Sequence, residues 1–404
     1  MTESLQEPTS ASNGEVGLVL TGGGARAAYQ VGFLRCLVRR MPEASIPIVT
    51  GVSAGAINAA FLAAHRGTFS ESVADLSALW SQLEVQDVFR ADPWTLFGNV
   101  LRWGRRLLSG GAGAQDGARS LVDPAPLRRL LHEKLAADEG GIPGIARNLA
   151  RGRLRAVALT ALDYSTGQTV TWVQGCQMSM WERPHRRSEC TSLTVDHVMA
   201  SAALPMVFPA VSVGHHWFGD GGIRHSFPLS PALHLGADRI VAISARYPRS
   251  IEEAERPVVL GYPPPAQILG QLLNAVFLDA LDQDALRTER FNALLESLPP
   301  ERRQGMRPVE VMVLRPSQDL GRMAAEYEVD LPKAFRFLTR GLGTTRTESP
   351  DLLSLLLFHP DYLQRMMDLG EADAEARIDE LTALFAPDRP QIPAESSSAS
   401  YAER

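Results

Sequence analysis

Two short apolar runs, each followed by glycines and then by helically spaced apolar residues, stand near the start of the chain. Val16–Leu20 is an unbroken apolar run typical of a buried strand, and residues 27–40 carry apolar side chains at helical spacing. Residues 46–49 form a second such run, which leads through a glycine-flanked serine into a helical pattern over residues 56–66. Because strand, tight turn and helix alternate, the sequence predicts an α/β fold with a mainly parallel sheet.

Later segments extend this pattern. Four further apolar runs predict buried strands, at residues 154–160, 169–173, 239–245 and 309–314. From Pro263 onward a helical stretch carries one apolar side, formed by Ile268, Leu269, Leu272, Leu273, Val276 and Phe277. We interpret the apolar stripe over residues 268–281 as core packing, because that is the usual role of a one-sided apolar helix; the alternative is that it contributes to an apolar groove.

Changes in composition divide the chain. Residues 1–14 are a polar arm and residues 387–404 a Pro- and Ser-rich tail, and both are predicted to be disordered. Between them we expect a core at 15–236, with a cap or insertion at 87–135. A C-terminal part at 237–386 is expected to complete the sheet and add helices.

Charge and composition exclude several classes of protein. The 404 residues carry a net charge of −6, which argues against a protein whose main partner is nucleic acid. No apolar run approaches the roughly 18–20 residues of a membrane-spanning helix, and the polar start shows no secretory signal. With three cysteines in no metal or disulfide pattern, we expect a cytoplasmic protein, although secretion without a cleavable signal stays open.

The sharpest chemical motif is GVSAG at residues 51–55, between a predicted strand and a predicted helix. Gly51 and Gly55 would permit the sharp turn that exposes a nucleophilic serine, Ser53. The start of the following helix would point amide N–H groups at a developing negative charge. The alternative is a serine that only caps its helix.

The second motif is GGGAR at residues 22–26. Successive amides at Gly22, Gly23 and Gly24 would form a concave set of donors for an oxyanion or a phosphate. A nucleotide site is the weaker interpretation, because the last glycine of GxGxxG and the Walker lysine are both missing. Arg26 has two interpretations, a cation near the developing charge or a salt bridge that orders the loop.

A nucleophilic serine needs a base, and none of the nine histidines stands in a distinctive context. Asp220 does, because it ends a predicted strand and is followed by Gly221 and Gly222, which let other groups approach closely. A partly dry aspartate can accept a serine proton directly. The alternative for Asp220 is an ordinary turn residue. The small, apolar segment at 200–209 could wall such a site.

Together these motifs resemble the patatin-like phospholipase family. The resemblance rests on GGGAR, GVSAG, the segment at 200–209, the Asp220-Gly221-Gly222 motif and PLSP at 228–231, in that order. It covers about residues 15–236 closely and the chain to about 386 more loosely. The chain differs from the family's usual pattern at Ala27, where a glycine usually follows the arginine.

The resemblance implies a three-layer α/β/α fold, with a mainly parallel central sheet and a helical C-terminal extension. It also implies a Ser–Asp dyad, with Ser53 as nucleophile and Asp220 as general base, that cleaves lipid acyl esters through an acyl-enzyme. The amides of Gly23, Gly24 and Ala54 would hold the oxyanion. No metal or other cofactor is implied, and the substrate partner would be a lipid acyl ester. The remaining alternative is a non-catalytic lipid- or protein-binding module with the same fold.

Membrane contact is predicted for one segment. Residues 90–134 carry eight Lys or Arg against four Asp or Glu, an excess of eight minus four, or +4. Within them Trp94, Trp103, Arg105 and Arg106 suggest an interfacial helix that would lie peripherally on lipid headgroups. The alternative is a cap helix packed on the domain. The sequence leaves the oligomeric state open.

Overall fold

The computed structural model describes residues 15–90, 122–175, 180–205, 207–256, 261–328, 336 and 351–386. Ten strands of the described residues join in one sheet, and eight of them lie in the order β10-β9-β1-β2-β3-β4-β6-β5. The strands are β1 Val16–Leu20, β2 Ile48–Val52, β3 Ala156–Asp163, β4 Thr169–Gly175, β5 Glu182–Arg183, β6 Arg186–Cys190, β7 Val211–Val213, β8 His216–Asp220, β9 Arg239–Ile243 and β10 Glu310–Leu314.

The centre of the sheet is parallel. Strands β10, β9, β1, β2 and β3 pair in parallel, whereas β4 and β8 both pair antiparallel with β3. Leu20 pairs with Gly51, so the turns that follow β1 and β2 are neighbours at the carboxyl edge. Asp220, the last residue of β8, pairs with Ala161 near the same edge. The topology thus brings three distant sequence motifs to one place.

Helices cover both faces of the sheet. They are α1 Ala28–Arg40, α2 Ala54–Ala64, α3 Phe69–Ser81, α4 Val85–Val88, α5 Ala125–Lys134, α6 Pro143–Ala150, α7 Val195–Ser201, α8 Ser230–His234, α9 Ile251–Ala254, α10 Pro265–Phe277, α11 Asp279–Glu296, α12 Leu320–Ala325, α13 Asp351–Leu356, α14 Pro360–Ala376 and α15 Ile378–Phe385. Short 3₁₀ turns occur at Gly24–Ala27, Gly221–Arg224 and Pro300–Arg302.

Two hydrophobic clusters follow from the alternation of side chains along the strands. In β1, Leu18 and Leu20 belong to the larger cluster, with α1, α2 and α14, while Val19 belongs to a smaller cluster with α8 and α11. Successive strand residues point to opposite faces, so an unbroken apolar strand must be covered on both sides. The three-layer α/β/α expectation is confirmed.

The predicted strands are confirmed to within a few residues at their ends. The second predicted helix begins at Ala54, two residues earlier than expected, because Ser53 itself forms the turn. Ala27 ends a 3₁₀ turn that leads into α1, so the chain enters this helix without the glycine that the family usually has there. Strands β5 to β7 were not predicted, since β5 and β7 are short and none of the three is an unbroken buried run.

One interpretation is wrong. The stripe over residues 268–281 is not simply core packing, because Ile268, Leu269, Leu272 and Val276 on α10 are exposed. The helix turns Gly270, Asn274 and Phe277 inward instead: Gly270 lies against Asp351, and Asn274 accepts a hydrogen bond from Arg26. Gly270, Asn274 and Phe277, at helical spacing, therefore define the inner side of α10. Only the end of the stripe, at Leu278 and Leu281, is buried.

Some expectations concern residues outside those described. They are the arm at 1–14, the tail at 387–404, and the interfacial residues Trp94, Trp103, Arg105 and Arg106. Within the described residues, no helix combines the length and the apolar character that crossing a bilayer demands.

Candidate active site

Ser53 occupies a strained turn between β2 and α2. Its φ of 58° and ψ of −132° lie in a region that L-residues rarely adopt, as expected where a serine is pushed out of a tight turn. A Cβ on Gly51 would lie 2.5 Å from the Gly55 carbonyl oxygen, and one on Gly55 would lie 2.2 Å from the Leu20 carbonyl oxygen. Neither position has room for a side chain. The two glycines of the motif are therefore required by close backbone packing.

The Ser53 hydroxyl is bonded to Asp220. Ser53 Oγ donates to Asp220 Oδ2 at 2.5 Å, and the Gly222 amide donates to the other carboxylate oxygen at 2.9 Å. The Ser53 side chain makes no hydrogen bond to the start of α2, so the capping alternative is wrong. Asp220 is completely buried, and each of its two carboxylate oxygens accepts a hydrogen bond. The structure thus joins two residues that lie 167 positions apart in the chain.

The environment of Asp220 shifts its protonation. Burial raises the pKa of this carboxyl from 3.8 to about 7, while the hydrogen bonds from Ser53 and Gly222 act in the opposite direction. The effect of burial on the pKa is the larger one, because the charged carboxylate loses its hydration. A carboxylate with a pKa near neutrality can both accept a proton and return it.

Ser201 is a site residue that the sequence did not single out. The Ser53 amide donates to Ser201 Oγ at 3.1 Å, and Ser201 Oγ in turn donates to the Thr160 carbonyl oxygen at 2.6 Å. Ser201 is fully buried at the end of α7. Its hydroxyl ties the strained turn to β3. The available signal was a lone hydroxyl within an otherwise apolar segment, which is too weak to assign a role.

The glycine loop stands beside the serine. Gly23 and Gly24 have φ values of 154° and 56°, conformations that glycine adopts at little cost, and the 3₁₀ turn begins at Gly24. The first amides of a helix lack partners within it, which applies to this turn and to α2 at Ala54. Gly23, Gly24, Ser53 and Ala54 all line one pocket. Gly22 packs behind them, since a Cβ there would lie 2.9 Å from Ser53 Cβ.

Arg26 anchors this loop to the C-terminal helices. Its guanidinium donates to Asp351 Oδ1 at 2.7 Å and to Ser354 Oγ at 2.7 Å, both on α13, and it is almost fully buried. Of the two roles left open for Arg26, the structure shows the salt bridge. A buried pair of this kind fixes geometry, because breaking it would leave a charge without a partner.

The pocket in front of Ser53 is strongly apolar. Helix α5 lines it with Leu127, Leu130, Leu131 and Lys134, which share one face at spacings of three and four. The segment at 200–209 contributes Ala202, Leu204 and Phe208, so it does wall the site. Phe277 of α10 also lines it. Among the lining residues that the structure describes, there is no histidine.

The far end of the pocket lies near a second surface. Phe61, Leu79, Lys134 and Leu135 line both this pocket and a separate, more polar depression beside His65 and Asp75. The apolar lining therefore extends from Ser53 to Lys134, and these four residues separate the two spaces. We call the pocket in front of Ser53 the apolar channel.

Fold and site together define a class: a three-layer α/β protein with a serine at a strand-to-helix turn, paired with a buried aspartate. The patatin-like phospholipase family model matches residues 18–233, more than half of the chain. The chain belongs to the patatin-like phospholipase family.

Comparison with solved structures gives distant likenesses. Human group IVD cytosolic phospholipase A2, in complex with methyl γ-linolenyl fluorophosphonate, is 12% identical with a TM-score of 0.43, over 94% of this chain and 60% of that one. ExoU, a type III effector of Pseudomonas aeruginosa, is 14% identical with a TM-score of 0.37, over 91% and 53%. VipD from Legionella pneumophila is 11% identical with a TM-score of 0.34, over 88% and 67%.

This chain thus spans between about half and two thirds of the length of those proteins. A search of curated proteins found no match.

Proposed function

We propose that the protein is a serine acyl hydrolase that cleaves fatty-acyl ester bonds of lipids with a Ser53–Asp220 dyad. The observation that carries this proposal is the 2.5 Å hydrogen bond from Ser53 Oγ to a buried carboxylate beside an apolar pocket. Membership in the phospholipase family supports a lipid substrate. Domain boundaries at residues 15–236 and 237–386 remain part of the proposal.

In the first half-reaction Asp220 accepts the Ser53 proton while Ser53 Oγ attacks the acyl carbonyl carbon. The amides of Gly23, Gly24 and Ala54 hold the resulting oxyanion in this proposal, which is supported by the three residues lining the same pocket as the serine. When the tetrahedral intermediate collapses, the ester oxygen takes the proton from Asp220 and leaves as an alcohol or a lysolipid. An acyl ester on Ser53 remains.

In the second half-reaction water gives a proton to Asp220 and attacks the same carbonyl carbon. Collapse releases the fatty acid, and the proton returns to Ser53 Oγ. One carboxylate serves as base and then as acid in each half, which a pKa of about 7 favours at neutral pH. The steps consume one water for each ester cleaved and need no cofactor.

The acyl chain of the substrate occupies the apolar channel in this proposal. The lining from α2, α3 and α5 is almost wholly aliphatic or aromatic, so it matches a hydrocarbon chain and excludes a polar headgroup. The ester would then lie at Ser53, with the alcohol part outside the channel. Contact with a membrane surface through residues 92–108 stays a prediction.

Mass spectrometry of fatty acids released from a mixed lipid extract tests the function. We expect wild type to release fatty acids and Ser53→Ala to lose the activity about 10⁴-fold or more, since removal of a nucleophile has effects of that size. Ser192→Ala, which removes an exposed serine far along the chain, is the matched control and should retain full activity. Release by Ser53→Ala at the rate of wild type would overturn the proposal. No release by wild type would favour the non-catalytic binding module instead.

A further inference from the structure

A second cavity, of about 340 Å³, lies at the same edge of the sheet as the dyad and differs from the apolar channel in its chemistry. Arg183, Arg186 and Arg224 line it, and no Asp or Glu does. We call it the arginine pocket. The starts of β4 and β6 and the end of the Gly221–Arg224 turn form its walls.

The three arginines of this pocket make no direct ion pair with a described carboxylate. Many described arginines outside it make ion pairs with carboxylates, but among the described residues no salt bridge involves Arg183, Arg186 or Arg224. Arg183 and Arg224 donate to the carbonyl oxygens of Glu182 and Gly167. Arg186 approaches Ser230 Oγ at 3.4 Å. These acceptors are neutral. The buried Asp284 does not line the pocket; burial raises its pKa, and the charges of Arg287 and Arg186 act in the opposite direction.

The pocket also holds its central arginine in place. The Arg186 guanidinium lies over the Phe227 ring, with its carbon 4.6 Å from the ring centre, and this arginine is half-buried. Arg287 lies over the same ring at 5.3 Å. Thr169, whose hydroxyl donates to the Arg224 carbonyl oxygen, and Trp181 supply buried walls. Like charges brought together around a concave surface favour a bound anion, and guanidinium forks match phosphate geometry.

Neighbouring histidines respond to this positive charge. Burial is the main reason that the pKa of His225 is lowered to about 4, and Arg186 lowers it further. The pKa of His234 is lowered by burial and then by Arg186 and Arg183. Both histidines are therefore neutral at physiological pH and can accept or donate hydrogen bonds without adding charge.

We propose that the arginine pocket is a binding site for a phosphate group, either the phosphate of a lipid headgroup or a free phosphate. Its position suits the first source, because Arg224 follows Asp220 by four residues and the short turn between them separates the two pockets. Phe277 of the apolar channel lies against Gly222 of that turn. Use as a headgroup site rests on the proposed lipid hydrolysis, whereas phosphate binding itself does not.

Binding should be measured in the Ser53→Ala protein, so that hydrolysis plays no part. Calorimetric titration with inorganic phosphate should give saturable binding, which Arg186→Gln and Arg224→Gln each weaken about tenfold or more. Arg303→Gln is the matched control, because Arg303 makes no recorded ion pair, donates to the Leu298 carbonyl oxygen and lies outside the pocket. Equal thermal midpoints would show that the variants are folded, and the exposed Arg183→Gln provides a third variant.

A second arm distinguishes the two sources. Vesicles of phosphatidylcholine with phosphatidic acid should bind the Ser53→Ala protein better than phosphatidylcholine alone, and Arg186→Gln should abolish the difference if a headgroup is the ligand. If Arg186→Gln loses phosphate binding but still prefers the vesicles that contain phosphatidic acid, the pocket is a site for free phosphate. The proposal is overturned if inorganic phosphate does not bind, or if Arg303→Gln weakens binding as much as Arg186→Gln does.

Discussion

At the scale of single residues, the proposed chemistry depends on how Asp220 is buried. An exposed aspartate would be too weak a base for a serine hydroxyl, since its pKa lies near 3.9. Here the loss of hydration raises the pKa to about 7, and the Ser53 hydroxyl remains within 2.5 Å. Burial therefore supplies what a histidine supplies in a triad.

This environment predicts the pH dependence of hydrolysis. Asp220 must be ionised to accept the proton, so kcat/KM should rise with pH and reach half of its maximum at about pH 7. Below that pH the rate should fall about tenfold per unit, because one proton blocks the base. Initial rates with a soluble acyl ester across the acid and neutral range provide the measurement.

The control for this profile is His216→Gln, which removes a half-exposed histidine that is hydrogen-bonded to Asp163 rather than to the dyad. Its profile should match that of wild type. A midpoint at about pH 4, the ordinary value for an aspartate, would contradict the role given to burial.

The sequence predicts some of these site residues and not others. Ser53 and Asp220 were accessible because each stands in a glycine motif that marks a sharp turn after a strand. The contact between Ser201 and the Ser53 amide could not be predicted, because it depends on how α7 packs beside β3. Nor could the sequence choose between the two roles of Arg26, whose partner Asp351 lies 325 positions away.

At the scale of elements, α5 forms much of the wall of the apolar channel. Its pocket side carries Leu127, Leu130 and Leu131, whereas Arg129 on the outer side is exposed. The helix lies in the described end of the segment at 87–135 that the sequence predicted to be a cap. Its place in front of Ser53 could not be read from its amphipathic pattern, which shows only that one side is covered.

Leu130→Trp should therefore shift the protein toward shorter acyl chains. The larger ring would occupy part of the channel, and each methylene that no longer fits costs about 1–3 kcal/mol, or roughly 10–200-fold in kcat/KM. The measurement is a series of acyl esters that differ only in chain length, with rates compared at each length.

Arg129→Trp places the same ring on the outer side of α5 and should leave the chain-length preference unchanged. If Leu130→Trp and Arg129→Trp shared the preference of wild type, the acyl chain would not lie along this face of α5.

The C-terminal helices also contribute to the site. Helix α13 holds the glycine loop through Arg26 and Asp351, while α10 contributes Asn274 to Arg26 and Phe277 to the channel. The apolar periodicity of α10 suggested the opposite orientation, with its leucines inward. Small and polar side chains at Gly270 and Asn274 override that pattern, because Gly270 permits close contact with Asp351 and Asn274 binds a buried guanidinium.

At the scale of the whole molecule, one edge of the sheet carries two sites of opposite character. The channel from Ser53 is apolar, and the arginine pocket beyond Asp220 is cationic. An acyl chain and a phosphate differ in the same way, so the two sites match the two ends of a phospholipid. The net charge of −6 gave no hint of this arrangement, because it averages over the surface.

The most direct test of the central claim is the intact mass of the protein after treatment with an alkyl fluorophosphonate, which reacts with activated serines. We expect one adduct on wild type, none on Ser53→Ala and labelling slowed at least about 100-fold in Asp220→Asn, because the base that activates the serine is then missing. An adduct on Ser53→Ala, or labelling of Asp220→Asn at the wild-type rate, would contradict the dyad.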